Sequence, residues 1–296
     1  MGRELTDAFP EARAVLSEAD RALGFSIGRM CFEGKPEELQ LTEYAQPAIL
    51  AVSVAAHAVL AARGIRPRFV AGHSLGEYSA IVAAAGLSLA DAVTTVRKRG
   101  QYMQEAVPVG QGAMAALLGM PPESVESLCR EAAQGQVLSA ANLNSPAQIV
   151  IAGAAEAVRR AVRLAPQRGA RRAIPLPVSA PFHCALMRPA RDRLEKDLGR
   201  LQFRDLQCPL VTNADAAATR RGSEVAGALV RQVCAPVRWS ETIQLLRDRG
   251  VRRFVEVGPG RVLSGLVRQT DRSLDVLNVE DVRSLDKTLA ALGAVT

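Results

Sequence analysis

The sequence predicts an α/β fold, a parallel sheet flanked by helices and interrupted by one smaller unit with its own strand order. Three observations carry this. Short apolar runs alternate with stretches of helical periodicity along most of the 296 residues, as in strands separated by helices. Gly72-His73-Ser74-Leu75-Gly76 joins one such strand to one such helix through a turn with two glycines around a serine. The segment 110–179 breaks the alternation with the order strand, helix, strand, strand, helix, strand.

Taken in order, Glu4 to Leu23 reads as a surface helix with Leu5, Phe9, Val15, Leu16 and Leu23 on its apolar side. Residues 28–41 read as loop, with Gly34-Lys35-Pro36 as a breaker. A buried helix begins at Gln46-Pro47 and ends at Gly64-Ile65-Arg66-Pro67. Its most apolar run, Ala48 to Ala62, is too short to span a bilayer and holds Ser53 and His57. Arg68 to Ala71 is a short buried strand, and Leu75 to Ala85 the helix after the turn. Ser88 caps a further helix running through Arg97, Arg99 and Met103 until Pro108.

In the inserted unit, Ala113–Leu118, Val137–Asn142, Gln148–Ala152 and Arg172–Val178 read as strands, and Pro121–Ala133 and Ala155–Leu164 as helices, a ferredoxin-like split sheet. Arg159, Arg160, Arg163 and Arg168 give it a basic face, ordinarily just solvated but suited to an acidic partner. After it come the loop Pro181-Phe182-His183-Cys184, a charged helix from Met187 to Leu201 and a strand at 209–213. Helices at Val225–Val233 and Trp239–Arg249 follow, then a strand at Arg253–Val257 and a helix at Leu263–Gln269. Leu274–Asn278 and Ser284–Leu292 close the chain as strand and helix. The expected domains are 1–109 with 180–296, a hydrolase-like parallel core, and 110–179, the ferredoxin-like unit.

At 48% hydrophobic and 23% charged residues the chain has ample core for such a fold. Its five cysteines are odd in number and form no C-x-x-C pair, so they read as reduced thiols of a cytoplasmic protein. The opening residues do not read as a secretory signal. No His/Cys/Asp/Glu group has metal-ligand spacing, and no metal or cofactor is expected. The net charge of +7 comes with only 4% aromatics and no basic-aromatic stripe. Neither nucleic acid nor membrane is therefore expected, and an acidic protein or a phosphate-bearing substrate suits the charge.

The chemistry centres on Ser74. Gly72 and Gly76 lack a Cβ, so strand and helix approach closely around a turn that lifts the serine out of the sheet. The free N–H groups of the helix N-terminus favour a negative oxygen developing beside it. A serine hydroxyl needs a base, and there are three histidines. His57 lies mid-helix and reads as a core residue. His73 is the neighbour in sequence, but an adjacent residue at such a turn points elsewhere, which leaves it a lesser candidate. His183 lies in a proline-flanked loop able to reach the sheet's carboxyl edge, and by elimination and position it is the best base. Gly258-Pro259-Gly260 with Gly265 fits neither a dinucleotide fingerprint nor a P-loop.

Six ordered motifs resemble the malonyl-CoA:acyl carrier protein transacylases, the stand-alone enzymes of bacterial fatty acid synthesis and the related polyketide synthase acyltransferase domains. They are Gly72-His73-Ser74-Leu75-Gly76-Glu77; Arg97-Lys98-Arg99-Gly100 leading to Met103-Gln104-Glu105-Ala106-Val107-Pro108; Asn142-Leu143-Asn144-Ser145-Pro146; Pro175 to His183; Leu229-Val230-Arg231-Gln232; and Glu256-Val257-Gly258-Pro259-Gly260. The resemblance implies that Ser74 takes malonyl from coenzyme A as an ester and that His183 activates it. It further implies that a Gln232 carbonyl orients the histidine and that the Leu75 N–H is an oxyanion donor. Arg99 would grip the malonyl carboxylate, in keeping with the planar guanidinium's match to a carboxylate. Phe182 resembles the malonyl-selecting form of its motif, while Met103, Gln46, Asn142, Asn144 and His73 would line or neighbour the cleft. Holo-acyl carrier protein, typically acidic, would receive the group, and the family is commonly monomeric.

The family also opens with a strand and a Gly-Gln-Gly-x-Gln loop whose glutamine is the second oxyanion donor. Here Met1 to Leu5 resemble the run just after that loop, and Gly110-Gln111-Gly112 lies at the wrong place in the chain. The expectation is a late-assigned start or a truncation, with turnover lower by on the order of a hundred- to a thousand-fold. The rival readings are a hydrolase using the same Ser-His pair, a polyketide-synthase trans-acyltransferase, and a non-catalytic docking module.

Overall fold

A computed structural model describes residues 1–293. Where one helix is predicted from Glu4 to Leu23 there are two, α1 (Arg3–Ala8) and α2 (Pro10–Leu23). Pro10 has no N–H to give to the preceding turn, so one helix stops at Phe9 and the next opens on the proline. The stretch expected as loop folds as α3 (Ile27–Glu33) and α4 (Pro36–Gln40). Ser26 caps α3 by accepting the Arg29 N–H, and Pro36 starts α4 where it was read as a breaker.

Helix α5 (Thr42–Ala62) begins a turn before the expected start and carries Pro47 inside it. It is long and apolar enough to cross a membrane, but 67% of its most apolar window is buried inside this fold. The chain then makes β1 (Val70–Ala71), α6 (Gly76–Ala83) and α7 (Leu89–Glu105), the last capped by Ser88. α7 crosses the start of α5 at Gly100, where a Cβ would lie 2.6 Å from the Thr42 carbonyl oxygen. The absent side chain lets the two helix backbones touch.

Next come β2 (Gly112–Leu118), α8 (Pro122–Ala133), β3 (Leu138–Ser145), β4 (Gln148–Ala154), α9 (Ala155–Leu164) and β5 (Arg172–Pro175). The four strands form one antiparallel sheet in the order β3-β4-β2-β5. Their side chains alternate between faces. Ala115, Leu117, Ile149 and Ile151 pack beneath α8 and α9 with Val125, Leu128 and Val158. Met114, Ala116, Val150 and Ala152 pack the other way, against Phe182, Cys184 and Leu186.

The remainder is α10 (Arg188–Leu198), β6 (Leu210–Val211), β7 (Ala218–Thr219), α11 (Gly222–Cys234), α12 (Trp239–Asp248), β8 (Arg253–Val257), α13 (Val262–Thr270), β9 (Asp275–Val279) and α14 (Val282–Leu292). β1 pairs with β6 and β8 with β9, both in parallel, and β7 adds an unanticipated antiparallel edge to β6. Among the described residues the two parallel pairs are not hydrogen-bonded into one sheet. Packing joins them instead. Ala71 of β1 and Phe254 of β8 flank one cluster with Trp239, Ile243 and Leu266, and Ala55 and Val59 of α5 share a cluster with Val255 and Val257. The antiparallel unit is tied to this core by Leu143 N–H donating to the Val237 carbonyl and Val237 N–H to that of Ala141, each at 2.9 Å.

Candidate active site

The turn between β1 and α6 is made by Gly72. A Cβ there would sit 1.9 Å from the Gly76 oxygen and 2.6 Å from the Glu77 nitrogen, inside any possible contact. Gly76 plays no such part: a Cβ on it would meet nothing within 4 Å. The close approach expected of both glycines therefore belongs to the first. Ser74 follows in the left-handed region at φ 53°, a conformation that costs an L-residue on the order of 1 kcal/mol or more. It is held there from three sides. Its N–H donates to Asn213 Oδ1 at 2.6 Å, and its carbonyl accepts from Gln232 Nε2 at 2.8 Å. Asn213 Nδ2 in turn donates to the Gly72 carbonyl at 2.7 Å. The pairing of β1 with β6 puts Asn213 in reach, because it lies just past the end of β6.

His183 also adopts the left-handed conformation, at φ 60°. Its Nδ1 lies 2.8 Å from the Gln232 carbonyl oxygen and its Nε2 2.7 Å from Ser74 Oγ. A carbonyl only accepts, so Nδ1 carries the hydrogen and Nε2 is left to accept from the serine hydroxyl. Burial, and then the Arg99 guanidinium, push the His183 pKa down to about 3, so the ring is neutral.

Arg99, on the middle turns of α7, is 2% exposed. Its Nη1 donates to Gln46 Oε1 at 2.7 Å, and its Nη2 to Gln232 Oε1 at 2.9 Å and to Ser74 Oγ at 3.0 Å. Nε has no partner among the described residues. The Gly100 contact with α5 brings Arg99 within reach of Gln46. Gln232 therefore serves the site twice, its carbonyl on His183 and its side-chain amide between Arg99 and Ser74.

The other expected residues divide. Leu75 N–H, at the head of α6, has no acceptor among the described residues. His73 faces away from the serine, with Nε2 2.8 Å from Asn144 Oδ1 and its ring 5.7 Å from that of Trp239. Asn142 is buried where β3 bridges to Val237. Met103, one turn beyond Arg99, is buried in the main core, and Phe182 is half-buried between that core and the antiparallel sheet. His57 is half-buried on α5. Two residues of this network escaped the sequence reading, Asn213 and Glu77. Glu77 is fully buried and accepts from Gln232 Nε2 at 2.7 Å and from the Asn213 N–H at 3.3 Å. The one available signal for Asn213 was its place at the carboxyl end of a strand, where α/β sheets hold their sites.

A neutral imidazole on a serine hydroxyl can take its proton and return it. A buried guanidinium with spare N–H groups can hold an anionic group beside that oxygen. This is equipment for serine-dependent acyl chemistry. The comparisons narrow the class. The model of the family described as acyl transferase domain matches residues 1–290. A malonyl CoA-acyl carrier protein transacylase of Bacillus subtilis is 45% identical over 293 residues, 99% of this chain and 92% of that protein. The crystal structure of an acyl carrier protein S-malonyltransferase from Vibrio cholerae superposes with a TM-score of 0.95 at 43% identity, covering 97% of this chain and 94% of its own. A malonyl-transacylase solved in complex with the acyl carrier protein of a type II polyketide synthase gives 0.96 at 44%, covering 98% and 94%. The chain belongs to the acyltransferase family that contains these malonyl transferases.

Proposed function

We propose that the protein moves malonyl from coenzyme A to the phosphopantetheine thiol of acyl carrier protein through an ester on Ser74, supplying extender units for fatty acid synthesis. The observation that carries this reading is the Ser74–His183 contact with Arg99 buried beside it. His183 Nε2 takes the hydroxyl proton as Ser74 Oγ attacks the thioester carbonyl. Collapse of the tetrahedral species expels the coenzyme A thiolate, which takes that proton back. Leu75 N–H faces the developing oxyanion. Arg99 receives the malonyl carboxylate on its unused N–H groups, and the arriving negative charge offsets the guanidinium field that depresses His183, making the base stronger when substrate is in place. The carrier thiol then repeats the steps in reverse order. None of them calls on a metal or cofactor.

The finer architecture belongs to the same proposal, with a hydrolase-like core at 1–109 and 180–296 and a ferredoxin-like unit at 110–179. The strand order β3-β4-β2-β5 supports it. So does a cytoplasmic monomer meeting an acidic carrier fit the +7 charge and five free thiols, four of them buried. The complex with a polyketide carrier favours a second pathway on equal terms of identity, so fatty acid and polyketide carriers should be compared as acceptors. The test of the chemistry is incubation with malonyl-CoA followed by peptide mapping. The expected result is malonyl on Ser74, absent in Ser74→Ala and discharged by holo-carrier protein. A wild-type enzyme that turns over with no ester on Ser74 would refute the mechanism.

A further inference from the structure

One charged side chain lies wholly inside the protein behind the serine and takes no part in the steps above. Glu77 is 0% exposed. Its carboxylate meets only donors. Gln232 Nε2 lies 2.7 Å from Oε2, and the Asn213 N–H lies 3.3 Å from both oxygens. No acceptor faces it among the described residues, so the ionised form is satisfied and a protonated carboxyl would turn a hydrogen towards another donor. The charged groups around it are Arg99 from α7 and Asp215 from the loop beyond β6, itself paired with Arg231 of α11; the Tyr78 phenol adjoins it on α6.

The neighbours of Glu77 are the parts that hold the site. Gln232 spans Glu77 and Arg99, giving its N–H to the carboxylate and its oxygen to the guanidinium. That polarity has one solution while Glu77 is ionised, since Arg99 only donates and a carboxylate only accepts. The same amide nitrogen donates to the Ser74 carbonyl, and the Gln232 backbone carbonyl takes the His183 Nδ1 hydrogen. Asn213, the second neighbour, holds the Ser74 N–H and the Gly72 carbonyl. Arg99 and Glu77 make no direct ion pair; the glutamine amide lies between the two buried charges.

We propose that Glu77 is a positioning residue: as a carboxylate it anchors the Gln232 amide nitrogen and balances the charge of Arg99, and so sets Ser74, His183 and Arg99 in one working geometry. Protonation of Glu77 weakens its hold on the Gln232 amide nitrogen and leaves the guanidinium without its counter-charge. Burial pushes the Glu77 pKa up to about 7, whereas His183 is neutral far below that. The expectation is an acidic fall in kcat/KM that follows Glu77 and not His183.

The inference rests on the malonyl-transfer reading. The experiment compares wild type, Glu77→Gln and Glu77→Asp in malonyl transfer from coenzyme A to holo-carrier protein between pH 5.5 and 8.5, with melting curves alongside. The Gln variant keeps the shape but sets an amide N–H₂ against a donor. The Asp variant keeps the charge and shortens the reach. The expected result is a wild-type kcat/KM that falls tenfold per pH unit below about pH 7. Glu77→Gln should lose at least tenfold in kcat/KM at pH 8 and show no such fall, and Glu77→Asp should retain the pH dependence at a reduced rate. A structural acceptor alone would lower the melting temperature and leave KM and the pH profile of the folded fraction unchanged. That result, or a wild-type profile flat from pH 5.5 to 8.5, overturns the proposal, and the second needs no variant to fold. Absence of any malonyl transfer by wild type would instead sink the underlying reading.

Discussion

Gly112→Ala should disable the enzyme from a distance. A Cβ on Gly112 would lie 2.4 Å from both Cγ and Cδ of Pro181, whereas carbon atoms rest at about 3.5 Å or more. About 1 Å must be found somewhere. β2 cannot retreat, because Gly112 is paired with Ala154 of β4 and the adjoining Gln111 carbonyl accepts from Ala155 N–H. The proline ring has no free rotor, so its backbone moves, and His183 is two residues on. A shift of that size stretches the 2.7 Å Ser74–His183 contact beyond hydrogen-bonding range, and a misplacement of about 1 Å costs roughly a hundred-fold in rate. The folding cost is that of an overpacked site, about 1–3 kcal/mol. The control is Gly110→Ala, at φ 85° with open space around it. It carries a strain of about 1–2 kcal/mol but pushes on nothing. The assay is the single-turnover rate of Ser74 acylation with thermal melting of both variants. The two variants should show similar losses of melting temperature and about a hundred-fold difference in rate. Acylation by Gly112→Ala within threefold of wild type would refute it.

The two glycines of the serine turn should separate in the same way: Gly72→Ala should yield little folded enzyme, and Gly76→Ala should melt at or above the wild-type temperature, as purification and calorimetry will register. Gly100→Ala should part α7 from α5 and slacken the Arg99–Gln46 bond, raising KM for malonyl-CoA severalfold with little effect on acetyl-CoA. Arg99→Ala should abolish malonyl loading while sparing uncharged acyl groups, and an unchanged acyl preference would remove the anchor role. The two buried titrations oppose each other. The His183 pKa is lowered from 6.5 to about 3, so its stability contribution is complete above pH 6.5 and lost on acidification towards 3. That of Glu77 is raised from 4.5 to about 7, so its contribution is complete below pH 4.5 and lost as pH rises through 7. Between pH 4.5 and 6.5 the slopes cancel. In Glu77→Gln the unfolding free energy should climb across that window by about 1.4 kcal/mol per pH unit more than in wild type, measurable by urea titration; parallel curves would contradict the assignment.

How far the sequence reaches depends on whether a feature is local. The serine turn is legible because strand, glycines and helix are contiguous, and His183 because only three histidines compete. Arg99 is one arginine in a basic helix, and nothing short of the family resemblance distinguishes it. Its significance is made by Gln46, Gln232 and Ser74, which lie 53, 133 and 25 residues away along the chain. Glu77 and Asn213 escape the sequence reading for the same reason, since a buried carboxylate is explained by donors from the turn after β6 and from α11. The errors near the start are of another kind. The single helix expected over Glu4 to Leu23 runs through Pro10, and Pro36 is expected as a breaker in a loop, yet each proline opens a helix, because its missing N–H is harmless in a first turn.

Three close backbone approaches explain why the site assembles at all. Gly72 lets the end of β1 press on the start of α6, presenting Ser74. Gly100 lets α7 press on α5, presenting Arg99 to Gln46. Gly112 lets the first residue of the antiparallel sheet press on Pro181, presenting His183. The last of these belongs to the Gly-Gln-Gly run that looked like a misplaced motif, and its use is mechanical. The sheet's inner face adds a second hold on the same loop through Phe182, Cys184 and Leu186. Ser74 and Arg99 are thus set by contacts among β1, α5, α6 and α7, and His183 by the antiparallel sheet, so any shift of that sheet would act on the 2.7 Å Ser74–His183 contact before it acted on Arg99.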